Sequence, residues 1–178
     1  DKNVPVENMR GWDLKGKTLG VIGSGHIGQC AIKIANGFGM NVIAFDPYPN
    51  EQVADELGFK YVELDEIFIN SDAITIHAPY FPSNHHIVNA EKLALMKPTA
   101  VLVNTARGEL VDTKALADAM SQNKIAGVAL DVIEGEQLMH LSEDVALIRG
   151  IRRPQPDILE HSLELMALHK MPNVILVP

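Results

Sequence analysis

Six residues, Gly23-Ser24-Gly25-His26-Ile27-Gly28, spell G-x-G-x-x-G, and their neighbours narrow what the chain can fold into. Before them runs a β-branched apolar stretch, residues 18–22. After them Ile27, Ala31, Ile34 and Phe38 recur at spacings of four, three and four, so they share one helical face, an apolar stripe of the kind that faces a core. Gly39 then marks a helix stop. In a strand–turn–helix unit the first Gly makes the tight turn, the second lets backbone approach a pyrophosphate, and the third permits close helix–strand packing. The helix N-terminus adds unpaired N–H groups and a positive dipole end.

The rest of the chain repeats this alternation. Residues 41–45, 73–77, 100–104, 125–132 and 174–177 are further apolar runs, nearly continuous as strands buried on both faces require. Helical candidates fall between them: 51–57, 64–70, 90–96 and a helix opening near Asp112 or Thr113, with Asp112 as its N-cap and Ala115, Leu116, Ala119 and Met120 on its buried side. The expected fold is α/β, a Rossmann-type doubly wound parallel sheet in three αβα layers. With 178 residues, 47% of them apolar, residues 1–178 read as a single domain. Residues 138–156 carry no clear pattern, 149–154 read as an exposed basic loop, and 157–169 read as helical.

Charge and cysteine content bound the function. Fifteen Lys and Arg against 23 Asp and Glu leave a formal charge of −8, which disfavours nucleic acid and anionic membrane as partners. No apolar run reaches the ~20 residues that span a bilayer. One cysteine, Cys30, rules out an internal disulfide framework and fits a cytoplasmic setting; on its helix it reads as a small buried hydrophobe.

The second strand ends at Asp46, 18 residues after Gly28, where a carboxylate accepts hydrogen bonds from adenosine ribose hydroxyls. A 2′-phosphate would meet that negative charge, and Pro47-Tyr48-Pro49-Asn50 offers no cation to offset it. NAD is therefore expected in preference to NADP. Arg107 stands just beyond a strand's carboxyl end, the side on which open α/β sheets bind ligands, and its planar fork suits a carboxylate.

Four blocks together resemble the NAD-binding domain of the D-isomer-specific 2-hydroxyacid dehydrogenases. They are Leu14 to Thr18 running into the glycine turn, His77-Ala78-Pro79, Asn104-Thr105-Ala106-Arg107-Gly108-Glu109-Leu110-Val111-Asp112, and Ala129-Leu130-Asp131-Val132-Ile133-Glu134-Gly135-Glu136. Residues 80–87 and the last block look most like the D-lactate dehydrogenase branch. The resemblance implies hydride transfer between NAD(H) and a 2-keto acid/D-2-hydroxy acid pair. It implies that Arg107 binds substrate and that Glu136 orients and raises the pKa of a catalytic histidine. It implies cofactor contacts from Gly23, Gly25, His26, Ile27, Gly28, Asp46, Pro47, His77, Ala78, Pro79, Asn84, Thr105, Ala106, Arg107 and Asp131, the last facing the nicotinamide carboxamide as a buried carboxylate in need of a partner. A homodimer joined through coenzyme domains is also implied.

In that family the catalytic histidine follows a strand ending in proline, and residues 174–178 resemble that strand and proline. On this comparison the expected polypeptide holds the arginine and the glutamate but neither that histidine nor the substrate domain, and is inactive by itself. Among the other histidines, His77 reads as ordering its loop through a hydrogen bond. His85 and His86 are adjacent, so their side chains are not expected to share one face, and His161 and His169 with Glu160 or Glu164 form too loose a set for a metal; no metal site is expected. Two other classes compete: an NAD-responsive, non-catalytic interaction module resembling dehydrogenase-like corepressors, and another Rossmann enzyme that uses NAD. Retention of Arg107 and Glu136 weighs against the first, and the 104–112 block against the second.

Overall fold

A computed structural model describes residues 11–134 and 164–177. Seven strands form one sheet, all neighbours parallel, in the order β3-β2-β1-β4-β5-β6-β7. They are β1 (Thr18–Ile22), β2 (Asn41–Phe45), β3 (Lys60–Tyr61), β4 (Ala73–Ile76), β5 (Val101–Asn104), β6 (Gly127–Leu130) and β7 (Val174–Leu176). The interior strand β1 is flanked on both sides, with Val21 opposite Ala44 of β2 and Thr75 of β4. The expected doubly wound sheet is therefore the observed one. The 125–132 run is shorter as a strand than its apolar length suggested, and the two-residue β3 carries no apolar run at all.

Alternation along β1 divides the core. Val21 turns to one cluster, with Ile32, Ala35, Val42, Ala44, Ala54 and Phe59, beneath α1 (His26–Gly37) and α2 (Glu51–Leu57). Ile22 turns to the larger cluster, beneath α3 (Leu64–Asn70), α4 (Ala90–Leu95), α5 (Thr113–Ser121) and the helical residues 164–169. Three helices open on side-chain caps: Asn50, Asn89 and Asp112 accept the N–H groups of Val53, Lys92 and Ala115. Met120, Leu116 and Ala119 are buried on α5 as expected. On the other side of the β5–β7 half, among the described residues, Val101, Val103 and Ala129 are half-buried and Ile175 is 62% exposed.

The stripe on α1 corrects the sequence reading. Ile27, Ile34 and Phe38 are exposed, and the side that meets the sheet is Gly28, Ile32 and Ala35. Cys30 lies on the outer surface and is exposed, not buried. The 3.6-residue period was real, but α1 carries two apolar stripes, and the smaller one packs inward because close approach to β1 leaves room only for Gly and Ala beside Ile32.

Asp72, just before β4, fastens the amino-edge of the sheet. Burial pushes its carboxyl up, but the Thr18 N–H at 2.9 Å and the Lys97 ammonium at 3.1 Å outweigh that and hold it below the ordinary aspartate value.

Candidate functional site

The three motif glycines do different jobs. At Gly23, φ is +94° and a Cβ would lie 2.7 Å from the Ala78 nitrogen, so the turn is pressed against the chain leaving β4. At Gly28 a Cβ would sit 2.1 Å from the Gly23 carbonyl oxygen, which fixes helix against strand. At Gly25 nothing lies within 4 Å of that position. Gly25 is also the N-cap of α1, without a side-chain cap and with no acidic residue in the first turn. The N–H groups of His26, Ile27 and Gly28 precede the first intrahelical bond, Gln29 N–H to Gly25 carbonyl, and so have no partner within the helix. An open backbone, unpaired donors and the positive end of a twelve-residue helix make an anion cradle.

Asp46 follows β2 immediately and is tied to this turn. Its Oδ2 accepts the Ser24 N–H at 2.8 Å and the Ser24 hydroxyl at 3.0 Å, while Oδ1 accepts the Tyr48 N–H at 3.0 Å. Ser24 Oγ stands 2.8 Å from the Tyr61 hydroxyl. Asp46, Pro47 and Gly23 line a cleft of about 580 Å³ together with the wall formed by Ala78, Pro79 and Asn84. It opens where the chain leaves β1 in one direction and β4 in the other, the place at which open α/β sheets hold ligands. Asn84 shapes that wall itself, donating to the Pro79 carbonyl at 2.8 Å and accepting the Phe81 N–H at 2.7 Å.

His77 is half-buried at the end of β4, with Nε2 3.1 Å from the Thr75 hydroxyl, the loop-ordering bond expected of it. Burial lowers its pKa below the usual histidine value.

Further along the same carboxyl edge, Asn104 ends β5 fully buried. Its Oδ1 accepts the Ala106 N–H at 3.0 Å and its Nδ2 donates to the Arg107 carbonyl at 2.8 Å, so one side chain moulds the Thr105-Ala106-Arg107 turn. Arg107 is exposed and donates from Nη1 to the Ala106 carbonyl. Gly108 is buried, and a Cβ there would fall 2.1 Å from the Ile133 carbonyl carbon. Sequence reasoning gave Asn104 and Gly108 no role; a buried Asn at a strand's end was the available signal. Asp131 donates its backbone N–H to the Asn104 carbonyl, which sets it beside the Arg107 turn, but its side chain is exposed and needs no buried partner, contrary to expectation. Glu136 and the 149–154 loop lie outside the described residues.

The histidine pair also departs from expectation. His86 adopts φ +52°, and its ring stacks on that of His85 with centroids 3.8 Å apart. Its Nε2 lies 2.9 Å from the Glu134 carboxylate, and Asp112 stands 3.9 Å from Nδ1. Ligand-type atoms of His85, His86 and Glu134 fall within 4.8 Å of one another. The rings are only 23° from parallel, so their nitrogen lone pairs run side by side instead of meeting at a point. The cluster acts as a clasp between the 82–88 segment and the chain after β6.

Comparison with known proteins agrees with this geometry. The family model described as "D-isomer specific 2-hydroxyacid dehydrogenase, NAD binding domain" matches residues 2–178. A D-lactate dehydrogenase of Escherichia coli strain K12 is 43% identical over 137 residues, 77% of this chain and 41% of that protein. A D-2-hydroxyacid dehydrogenase (NAD+) of Lacticaseibacillus paracasei is 42% identical over 170 residues, 94% of this chain and 46% of that protein. Among solved structures, a D-lactate dehydrogenase from Aquifex aeolicus complexed with NAD and lactic acid superposes with a TM-score of 0.83 at 36% identity, over 96% of this chain and 48% of that one. The chain thus spans about half the length of these relatives.

Proposed function

The chain belongs to the D-isomer specific 2-hydroxyacid dehydrogenase family as its NAD binding domain, and from that premise we propose that it holds NAD(H) for the interconversion of a 2-keto acid and its D-2-hydroxy acid, a D-lactate dehydrogenase-like oxidoreductase activity. The observation that carries the reading is the empty approach at Gly25 beside a tethered Asp46, both opening on one cleft. The N–H groups of α1 take the pyrophosphate, Asp46 takes a ribose hydroxyl, and the turns carrying His77, Thr105 and Asp131 reach toward the nicotinamide end. When bound, the cofactor supplies or accepts the hydride. Arg107 clamps the substrate carboxylate and polarises its carbonyl, and Glu136 orients the group that moves the proton.

The exposed α1 stripe of Ile27, Ile34 and Phe38 supports a homodimer, since large apolar side chains grouped on one helix face are costly to leave in water. A net charge of −8 argues against nucleic acid as a partner, and among the described residues no helix is long and apolar enough to cross a membrane. The single cysteine supports a cytoplasmic setting.

A fluorescence titration with NADH tests the cofactor reading. Saturable binding is expected, and Asp46→Arg should weaken it at least about tenfold by removing the ribose acceptor. A flat titration for the unaltered chain would sink the reading.

A further inference from the structure

The tether on Asp46 has a direction. An ionised carboxylate only accepts, so the single proton of the Ser24 hydroxyl, which bonds Oδ2 at 3.0 Å, is committed to Asp46. Ser24 Oγ must then accept from its other neighbour, and the Tyr61 hydroxyl at 2.8 Å is the donor. A chain of donors runs inward from the sheet's edge: Tyr61 to Ser24 to Asp46. With the Ser24 N–H also on Oδ2 and the Tyr48 N–H on Oδ1, three of about four acceptor positions are filled. What remains lies on Oδ1. Tyr61 is itself held, its ring edge-on to Phe59 with centroids 5.0 Å apart, and Ser24 is only 7% exposed.

From this geometry we propose that Tyr61 and Ser24 are positioning residues for cofactor recognition, fixing the Asp46 carboxylate so that a ribose 2′-hydroxyl is accepted and a 2′-phosphate is refused. The proposal rests on the NAD reading above. A carboxylate free to rotate about its two side-chain bonds can turn from an incoming phosphate and relieve the repulsion. One held by three donors cannot, and discrimination then comes from a negative charge kept in the phosphate's path. Tyr61 reaches that charge only through Ser24, so its contribution enters at the edge strand β3, on a residue that motif reading of the glycine turn does not include.

The test uses the chain itself, with NADH and NADPH affinities measured by fluorescence titration for the unaltered protein, Tyr61→Phe, Ser24→Ala and Ser24→Thr. Tyr61→Phe removes one hydroxyl and keeps the ring; it should weaken NADH about two- to tenfold, the worth of one net hydrogen bond, while NADPH is held as before or more tightly. Ser24→Ala should narrow the preference further, and Ser24→Thr, which restores a hydroxyl, should recover it. Cofactor-free melting temperatures should stay within about 2–4 °C throughout. Unchanged NADH-to-NADPH ratios in Tyr61→Phe and Ser24→Ala would overturn the proposal and leave the NAD reading standing. So would equal losses for both cofactors that track a lowered melting temperature. An unaltered chain that binds neither cofactor would overturn both.

Discussion

Three glycines that look alike in the motif are physically unlike. Gly25 has φ −66°, a conformation open to any residue, and empty space where a side chain would begin. Gly28 has the Gly23 carbonyl oxygen 2.1 Å from that position. Gly25→Ala should therefore leave the fold's stability within about 0.5 kcal/mol while lowering NADH affinity, because the added methyl stands where phosphate approaches. Gly28→Ala should cost about 1–3 kcal/mol or more as helix and strand are forced apart. Urea unfolding alongside NADH titration separates the two outcomes; equal destabilisation by both would undo the division of roles. The motif in its strand–turn–helix setting already gave the three positions these separate roles; what it could not give is which atoms of the β4 exit and of the turn itself face each glycine.

The helix α1 shows what periodicity conveys and what it leaves open. Its period placed it, and placed β1 and β2 on either side, yet the stripe of Ile27, Ile34 and Phe38 points outward while Ile32 and Ala35 point in. Ile32→Ala should thus cost about 2–5 kcal/mol in urea unfolding. The pair Ile34→Asp with Phe38→Asp should cost the single chain little and shift sedimentation from dimer to monomer. A protein that already sediments as a monomer would remove the reason for that stripe. Long strands were legible because burial on both faces demands unbroken apolar runs. The edge strand β3 was not, since Lys60 and Tyr61 pair with only Ile43 and Ala44 and need no such run. The stacking of His85 on His86 was equally hidden: adjacent side chains diverge along extended backbone, and only the left-handed φ at His86 brings them together. At the Arg107 turn the arginine could be singled out from sequence, and an Asn closing an apolar run hinted at Asn104, but the bonds its amide makes could not be read, because its partners are backbone groups whose positions exist only in the folded chain.

Across the whole molecule, seven parallel strands bring every described site residue to one edge of the sheet, the cleft at β1, β2 and β4 and the Arg107 and Asp131 turns at β5 and β6. Two cores on opposite sides keep that edge rigid from behind. Of the two edge strands, β3 and β7, β3 is the shorter at two residues, and among the described residues it is joined to the sheet through β2 and the Val62 N–H to the Ala44 carbonyl. Strands of this kind open locally far more often than the whole protein unfolds. Each opening takes the Tyr61 hydroxyl away from Ser24, so fraying of the margin and loosening of the Asp46 carboxylate are one event. Linkage then requires the reverse effect: saturating NADH should slow hydrogen exchange at the Val62 amide more than at the buried amides of β4, and Tyr61→Phe should abolish that difference. The sheet's shortest strand would thereby report, in minutes of exchange, on a ligand bound beyond its reach.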